Sequence, residues 1–394
     1  MSNLRVQWIV VASLLAACNG GQGDVTGQNI SGGGQPAVAG ATNPGRAVGQ
    51  NAIVMTRNLF LGADLAPAIG APNLPAFVAG TGLVVRQVTA TNFPTRAKGL
   101  AAEILAAQPD LVGLQEVALW RTGPASIAPL LGAPRTASTV RYDFLQLLLD
   151  QLNADAERYR PVVVEEEFDF EAPADENGIA GDGPFPIVDA ELNVRLTMRD
   201  VILARVSGSV HVSQPQSGHF QTLLSLPVLG SPLPVTRGWT AIDARVRGGV
   251  QFRFVNTHLE SFDPRALHPS IRALQATELA APGGPATGDL PVVLVGDLNS
   301  DDDTVVPDDQ QAYRALLDAG FVERSTNNPL SCCIESSFDL TTGTAAEFDH
   351  QVDHILTNAP AIVRLVSSTV TGRTMVNGFW DSDHAGLVSE LHIR

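Results

Sequence analysis

The sequence predicts a layered α/β sandwich that contains antiparallel strand pairs. Apolar strand-like runs alternate with helix-like segments from residue 51 to the C-terminus. Residues 238–261 contain two alternating runs joined around Gly248 and Gly249, a pattern typical of a β-hairpin. Because hairpins and helix-linked strands occur together, the pattern favours mixed sheets over a purely parallel, doubly wound sheet.

Each element is predicted from its periodicity and its boundary residues. Helices are predicted over 95–108, where Pro109 ends the pattern, and over 142–154, 270–279 and 310–319. Buried or alternating strands are predicted over 110–117, 290–300, 349–358 and 385–393. The Pro- and Gly-rich segments 121–138, 171–187 and 213–236 are predicted to be surface loops. No internal repeat or second linker divides residues 51–394, which are therefore predicted to form one domain.

The N-terminus reads as an export signal. A short apolar run, too short to span a bilayer, leads into small residues before Cys18. The motif "LAAC" resembles a bacterial lipobox, which implies removal of residues 1–17 and lipidation of Cys18; an ordinary cleaved signal is the alternative. Residues 18–50 are Gly-rich, have few bulky apolar residues and predict a flexible tether. We therefore expect an exported lipoprotein of the bacterial cell envelope, and Asn19 by resemblance favours the outer membrane.

The charge of the chain limits its partners. The formal net charge is −16 and the sequence pI is near 4.8. An extended basic groove that neutralises many phosphates is therefore not expected, and neither is tight nucleic-acid binding. A small phosphate ester held at a metal ion remains compatible with this charge.

Six apolar runs end on acids, amides or imidazoles. In "FVNTHLESF" (254–262), Asn256 and His258 are two residues apart, so both side chains point to one face of a strand. Asp and Asn at a strand end commonly form turns, which is the structural alternative for each residue taken singly. Six such endings in one domain indicate a shared polar rim. The other polar endings are Asn58, Gln115 and Glu116, Asp297 and Asn299, Asp353 and His354, and Asp383 and His384.

The ordered motifs "RNLF", "LQEV", "NTHL", "GDLN", "VDHI" and "SDH" resemble those of the endonuclease/exonuclease/phosphatase superfamily. The resemblance covers residues 53–393, in the order and approximate spacing of that family. It implies a four-layer sandwich in which two mixed β-sheets pack face to face and helices flank them. It also implies one metal-containing pocket at the strand ends.

The resemblance assigns three residues to a metal ion. It implies that Glu116 is the main ligand, that Asn58 lies beside it and that Asp383 lies near a second position. Oxygen ligands of this kind suit Mg²⁺ or Mn²⁺. Such a cation neutralises the oxyanion charge that develops during hydrolysis of a phosphate ester.

The resemblance assigns five further residues to the chemical step. It implies that Asp297 orients or deprotonates the attacking water and that Asn299 and His258 hold the phosphate. Asp353 and His384 match a pair in which a carboxylate fixes the tautomer of an imidazole. Family members differ on whether the aspartate or this histidine is the general base, and that alternative stays open here.

Asn256 and Arg199 are predicted to contact substrate. Asn256 shares its strand face with His258, and Arg199 lies in "LTMRDVILAR", where some nucleases of the family carry a phosphate-binding Tyr. A salt bridge to a neighbouring carboxylate is the alternative for Arg199. Phe60 stands where base-excision nucleases of the family carry an acid, which puts DNA processing of that type in doubt.

The sequence thus predicts an exported, lipid-anchored, metal-dependent phosphoesterase that acts on a phosphodiester or a phosphomonoester. Nucleic acid and a phospholipid or sphingomyelin headgroup are alternative substrates. A non-catalytic surface interaction module on the same fold is the alternative from another class. Cys332 and Cys333 predict either a vicinal disulfide or two thiols.

Overall fold

The computed structural model describes the chain from residue 51 onward, with short gaps. The described residues are 51–179, 181, 183, 189–247, 249–262, 269–302, 310–326, 330–335 and 339–394. They belong to one compact unit, Gly49–Arg394. The predicted signal peptide (1–17) and the predicted tether (18–50) with Cys18 lie outside the described residues, so both stay predictions.

The described residues form strands and helices in alternating groups along the chain. The strands are β1 (Asn51–Asn58), β2 (Leu111–Gln115), β3 (Leu119–Pro124), β4 (Thr139–Asp143), β5 (Tyr159–Ala174), β6 (Leu192–Arg205), β7 (Val210–His219), β8 (Leu224–Val228), β9 (Ser231–Val235), β10 (Gly238–Val246), β11 (Gln251–His258), β12 (Val292–Asp297), β13 (Val322–Glu323), β14 (Asp353–Thr357), β15 (Val363–Thr371) and β16 (Gly386–Ile393). The α-helices are α1 (Ala66–Ile69), α2 (Leu74–Ala90), α3 (Phe93–Ala107), α4 (Phe144–Leu152), α5 (Ile271–Ala280) and α6 (Gln311–Asp318). None of these described helices is both long enough and apolar enough to cross a membrane.

Eight strands form the first sheet. Their order is β15-β16-β1-β2-β6-β3-β4, and β5 also pairs with β6. β1 and β2 are parallel, with Asn58 beside Gln115, whereas the other pairs in this sheet are antiparallel. Because parallel neighbours end at the same edge, the polar residues that end β1 and follow β2 leave the sheet together.

Six strands form the second sheet, in the order β13-β14-β12-β11-β10-β7. β11 and β12 are parallel, with His258 beside Asp297. β14 is antiparallel to β12, with Asp353 beside Asp297. Three predicted site residues are therefore neighbours across adjacent strands. β8 and β9 form a separate two-stranded hairpin.

The two sheets pack face to face, and helices cover both outer faces. Alternate residues of a strand point to opposite faces, so Val54 of β1 lies between the sheets while Met55 packs toward the helices. Val54 shares the inter-sheet cluster with Phe254 and Val295 of the second sheet. Residues of α2, α3 and α4 pack on the first sheet, and those of α5 and α6 pack on the second. The predicted four-layer sandwich of two mixed sheets is confirmed.

Most predicted elements are confirmed, and the errors have physical causes. The four predicted helices correspond to α3, α4, α5 and α6, and the predicted hairpin is β10–β11. The predicted loop 213–236 is wrong because it contains the end of β7 and the hairpin β8–β9. Both strands of this hairpin contain prolines. A proline is tolerated at a strand position that faces no further strand, because no neighbour there needs its missing N–H. The predicted loops 121–138 and 171–187 likewise begin within β3 and β5, and the sequence did not reveal α2.

Candidate active site

Asp297 lies at the centre of the polar cluster at the strand ends. Its Oδ2 atom accepts a hydrogen bond from Asn58 Nδ2 at 3.0 Å and lies 3.5 Å from His258 Nε2 and 3.7 Å from His384 Nε2. Its Oδ1 atom accepts a hydrogen bond from the backbone N–H of Asn299 at 2.9 Å. Burial raises the pKa of Asp297. One buried carboxylate therefore brings together side chains from three other strand ends.

Arg237 holds His258 as a neutral imidazole. Its Nη1 atom donates to His258 Nδ1 at 3.0 Å, and because a guanidinium has no acceptor, Nδ1 carries no hydrogen. The ring hydrogen is therefore on Nε2, the nitrogen that faces Asp297. Burial and the charge of Arg237 lower the pKa of His258 well below its usual value. His258 thus offers an uncharged N–H donor to the site.

Asp353 and His384 form the predicted carboxylate–imidazole pair. His384 Nδ1 donates to Asp353 Oδ2 at 2.9 Å, which leaves Nε2 facing Asp297. Burial by itself would lower the pKa of His384, but the charges of Asp353, Asp297 and Asp383 raise it well above its usual value. The site therefore holds one neutral and one readily protonated imidazole on the two sides of Asp297.

Glu116 and Asp383 add two further carboxylates. The backbone N–H of Leu61 donates to Glu116 Oε2 at 2.6 Å, and Ser382 Oγ donates to Asp383 Oδ1 at 3.2 Å. Burial and the charge of Asp383 raise the pKa of Glu116 to about 7. Burial also raises the pKa of Asp383. A cation placed between such carboxylates would offset both their repulsion and their desolvation.

Asn58 and Asn299, two of the three predicted site amides, are held in place by hydrogen bonds. Asn58 donates to Asp297 through Nδ2, and its Oδ1 atom accepts a hydrogen bond from the backbone N–H of Phe60 at 2.8 Å. Asn299 donates through Nδ2 to the backbone oxygen of Leu259 at 3.0 Å. An amide oxygen has two lone pairs, so Asn58 Oδ1 retains one with which it can bind a metal ion.

The strand ends of the site turn through unusual backbone conformations. Phe60, Glu116 and Asn299 have φ values of 55°, 54° and 48°. Such left-handed conformations cost non-glycine residues about 1–3 kcal/mol and cluster at functional sites. Gly296 in "GDLN" has a φ of 150°, and a Cβ there would collide with the backbone oxygen of Thr257. The motif therefore needs glycine immediately before Asp297.

The donor set fits a hard divalent cation. Glu116 and Asp383 supply carboxylate oxygens and Asn58 supplies an amide oxygen, the ligand types that Mg²⁺ and Mn²⁺ prefer. Asp297, Asp353 and His384 offer another set of potential ligand atoms, and these three atoms all lie within 4.8 Å of one another.

Asn256 lies between the sheets rather than at the rim. Its Oδ1 atom accepts a hydrogen bond from Gln115 Nε2 at 2.6 Å, and its Nδ2 atom donates to Leu114 O at 3.2 Å and Thr240 Oγ1 at 3.3 Å. The side chain is fully buried. These contacts contradict the prediction that Asn256 binds substrate. The predicted face was correct, because His258 follows on the same side at the strand end.

Arg199 is also bound within the fold. Its Nε atom donates to Val117 O at 2.8 Å, and its Nη2 atom donates to Asp143 Oδ1 at 2.6 Å. The side chain is 7% exposed. The structure therefore shows the salt bridge, the alternative to the predicted phosphate contact.

Sequence reasoning missed Arg237, which contacts His258 directly. Arg237 also donates to Ser261 Oγ at 3.1 Å and lies 3.8 Å from Glu260 Oε1. Burial alone would lower its pKa, but Glu260 and Glu167 raise it above the usual value. Arg237 directly precedes β10, at the end of a Pro-rich stretch predicted as a loop. No motif around it signals contact with the site.

Two buried arginines hold the loops that carry the first and last motifs. Arg57 donates to the backbone oxygen of His384. Arg96 donates to the backbone oxygens of Leu59 at 2.7 Å and Asp381 at 2.9 Å. Because Arg96 joins the loop after β1 to the loop before β16, it fixes the separation of the two motifs.

A comparison with protein-family models identifies the family. The model described as "Endonuclease/Exonuclease/phosphatase family" matches residues 73–384. The chain belongs to this family. Members of the family are phosphoesterases and nucleases, and they generally depend on a divalent metal. The match includes every predicted catalytic, substrate-binding and metal-binding residue except Asn58, which precedes it. None of the curated proteins matches the chain.

Solved structures of three relatives align with this chain. A mannosyl-6-phosphatase of Bacteroides thetaiotaomicron is 17% identical, with a TM-score of 0.45, covering 86% of this chain and 99% of its own. TDP2 of C. elegans is 18% identical, with a TM-score of 0.41 and coverages of 87% and 75%. The human nocturnin catalytic domain is 16% identical, with a TM-score of 0.42 and coverages of 88% and 94%.

Proposed function

We propose that this protein is a metal-dependent phosphoesterase that hydrolyses a small phosphate ester by in-line attack of water. The observation that carries the proposal is the convergence on Asp297. Its Oδ2 atom lies 3.0 Å from Asn58 Nδ2, 3.5 Å from His258 Nε2 and 3.7 Å from His384 Nε2. A buried carboxylate between two imidazoles provides a position for water and donors for phosphoryl oxygens.

Glu116, Asp383 and Asn58 would hold the cation, for which Mg²⁺ or Mn²⁺ is proposed. When bound, such an ion supplies positive charge that stabilises the phosphoryl oxygens as negative charge develops. The left-handed backbone at Glu116 and the hydrogen bond from Leu61 fix this carboxylate. A preorganised ligand needs little rearrangement on binding.

The remaining residues position water and phosphate. Asp297 orients or deprotonates the attacking water. His258 donates its Nε2 hydrogen to a phosphoryl oxygen while Arg237 keeps that tautomer in place. His384, with Nδ1 bound to Asp353, presents Nε2 to the reacting group as a charged donor. Asn299 holds the phosphate from the end of β12.

A small ester is proposed as the substrate in preference to a nucleic acid. The chain has a net charge of −16, and the site itself is rich in carboxylates. A polyanion needs many basic contacts along its backbone, and two of the arginines near the site, Arg199 and Arg237, are bound to acids of the fold. A single phosphate group at a metal ion needs far fewer basic contacts.

We further propose that the chain is exported and held at a membrane by lipid on Cys18. The support is in the sequence alone: an apolar segment, the motif "LAAC" and a Gly-rich tether before the first strand. A tether of this composition would let the catalytic unit reach substrates near the membrane without inserting into it.

Hydrolysis by the chain from residue 19 onward tests the proposed function. The substrates are an activated phosphomonoester, an activated phosphodiester, plasmid DNA and sphingomyelin vesicles, each with Mg²⁺, Mn²⁺ or chelator. We expect metal-dependent hydrolysis of a small ester, and a loss of about 10²-fold or more in Glu116→Gln because a metal ligand is removed. Glu157→Gln, at an exposed acid, is the matched control. If no substrate is cleaved and Mg²⁺ leaves thermal stability unchanged, the interaction-module alternative replaces this proposal.

A further inference from the structure

The Cys332–Cys333 pair is fixed against the last motif. The two sulfurs form a vicinal disulfide. On one side of the pair, Ala385 N donates to Ser331 O at 2.7 Å, and on the other, Ile334 N donates to Asp383 O at 2.9 Å. These bonds bracket His384, so the cysteine segment and the catalytic histidine are joined on both sides.

His384 Nε2 has two chemically different neighbours. It lies 3.7 Å from Cys332 Sγ and 4.0 Å from Cys333 Sγ. The same nitrogen lies 3.7 Å from Asp297 Oδ2. One imidazole nitrogen thus lies near one hard oxygen and two soft sulfurs.

We propose that Cys332, Cys333 and His384, when the disulfide is reduced, form a binding site for a thiophilic divalent cation such as Zn²⁺ or Cd²⁺. The three ligand atoms lie within 4.8 Å of one another. Tetrahedral zinc with Zn–S of about 2.3 Å and Zn–N of about 2.0 Å separates sulfur from nitrogen by about 3.5 Å and the two sulfurs by about 3.8 Å. In the disulfide form the sulfurs lie 3.7 and 4.0 Å from His384 Nε2. Reduction breaks the bond between the sulfurs, and they must then move apart to reach the third distance. Water would take the fourth position.

Asp353 supports this site independently of the sulfurs. Its Oδ2 atom accepts the Nδ1 hydrogen of His384 at 2.9 Å. A histidine ligand commonly donates its second ring N–H to a carboxylate, which orients the ring and increases its basicity. His384 therefore already has the outer partner that a zinc-binding histidine needs.

Before the cation can bind, an external dithiol must reduce the Cys332–Cys333 disulfide. The dithiol gives two electrons and two protons to the Cys332–Cys333 disulfide and becomes a cyclic disulfide itself. The cation then displaces one proton from each thiol and any proton on His384 Nε2, whose lone pair completes the third bond. Nδ1 keeps its hydrogen and its bond to Asp353.

The consequence for hydrolysis rests on the proposed function. A cation bound to His384 Nε2 removes that nitrogen from the reacting phosphate. The reduced protein should therefore be inhibited by Zn²⁺ or Cd²⁺ in the presence of excess Mg²⁺, and the oxidised protein should not be inhibited through this site.

Cadmium titration of the chain from residue 19 onward tests the site. Only Cys332 and Cys333 remain of the three cysteines in this chain, and it includes the whole compact unit. With excess Mg²⁺ present, we expect the dithiol-reduced, desalted protein to bind one Cd²⁺ with thiolate-to-cadmium absorption in the near-ultraviolet. The oxidised protein should show no such absorption. Asp353→Asn should weaken binding about 10–100-fold.

Cys333→Ser is the decisive variant, because Cys333 is partly exposed and its replacement disturbs the fold less than that of the buried Cys332. We expect the one-to-one complex to be lost while circular dichroism stays unchanged. Equal Cd²⁺ affinity in Cys333→Ser, or no thiolate absorption in the reduced chain, would overturn the inference. Cadmium binding without any hydrolysis would instead reject the proposed function and leave the metal site standing.

Discussion

Asp353 is linked to the proposed reaction centre through its hydrogen bond with His384. It is fully buried, and its Oδ2 atom lies 2.9 Å from His384 Nδ1. Asp353→Asn removes the charge that stabilises the imidazolium and fixes the ring tautomer. We expect kcat to fall by about 10²–10⁴-fold, the range for loss of a general acid or base. His384→Ala should cost a similar factor, and the double variant should lose no more than His384→Ala alone.

Steady-state kinetics of the three variants measures this coupling, with the folded fraction of each taken from circular dichroism. His350→Ala is the matched control, because His350 is a partly exposed histidine that pairs with Asp349 instead. It should keep the wild-type kcat. Losses that add in the double variant would show that Asp353 and His384 act separately.

At the scale of elements, Asn256 joins β11 to the first sheet. It bonds to Gln115 and to the backbone of Leu114 in β2, and Gly113 leaves the space, because a Cβ there would lie 2.5 Å from Asn256 Oδ1. Asn256→Leu would leave these partners buried and unsatisfied. Since each such group costs about 1–3 kcal/mol, we expect the free energy of unfolding to fall by about 2–5 kcal/mol.

Urea unfolding gives the stability of this variant. KM does not depend on how much of the enzyme is folded, so it distinguishes a structural role of Asn256 from a role in binding substrate. We expect KM to stay close to the wild-type value, because Asn256 has no exposed atoms. Gln221→Ala, at an exposed amide, is the control and should change neither quantity. A raised KM with unchanged stability would restore Asn256 to the substrate site.

Strand β11 shows what a sequence can and cannot predict. Period-two alternation correctly placed Asn256 and His258 on one face, and the motifs placed His258, Asp297 and Asp353 at strand ends that prove adjacent. Alternation does not show how far along a strand the opposite sheet extends, so Asn256 was placed too near the rim. The contact between Arg237 and His258 depends on the pairing of β10 with β11, which no local pattern around Arg237 specifies.

Across the whole molecule, acidic side chains lie inside the fold as well as on its surface. The net charge is −16, and Glu167 and Asp200 are buried acids near Arg237. Burial raises the pKa of Glu167 from 4.5 to about 8, and burial together with the charge of Glu167 raises the pKa of Asp200. Between pH 5 and pH 8 the folded state therefore binds protons that the unfolded chain has lost.

This difference predicts that stability falls as pH rises from 5 to 8. For each proton that only the folded state holds, the free energy of unfolding falls by at most about 1.4 kcal/mol for every unit by which the pH rises. Glu167→Gln resembles the protonated side chain that the folded state already holds, and it can still accept the hydrogen bond from Gly238 N. The variant should match the wild type at pH 5, exceed its stability at pH 8 and show a flatter dependence between them.

Urea unfolding from pH 5 to pH 8 in chelator measures these slopes without a contribution from metal binding. Glu157→Gln removes an equal charge at an exposed position and should leave the wild-type slope unchanged. Parallel curves for the wild type and Glu167→Gln would mean that Glu167 is ionised in the folded state. In that case Arg237 would neutralise Glu167 as well as orient His258. If the curves diverge as expected, Glu167 is neutral in the folded state and Glu260 is the acid that pairs with Arg237.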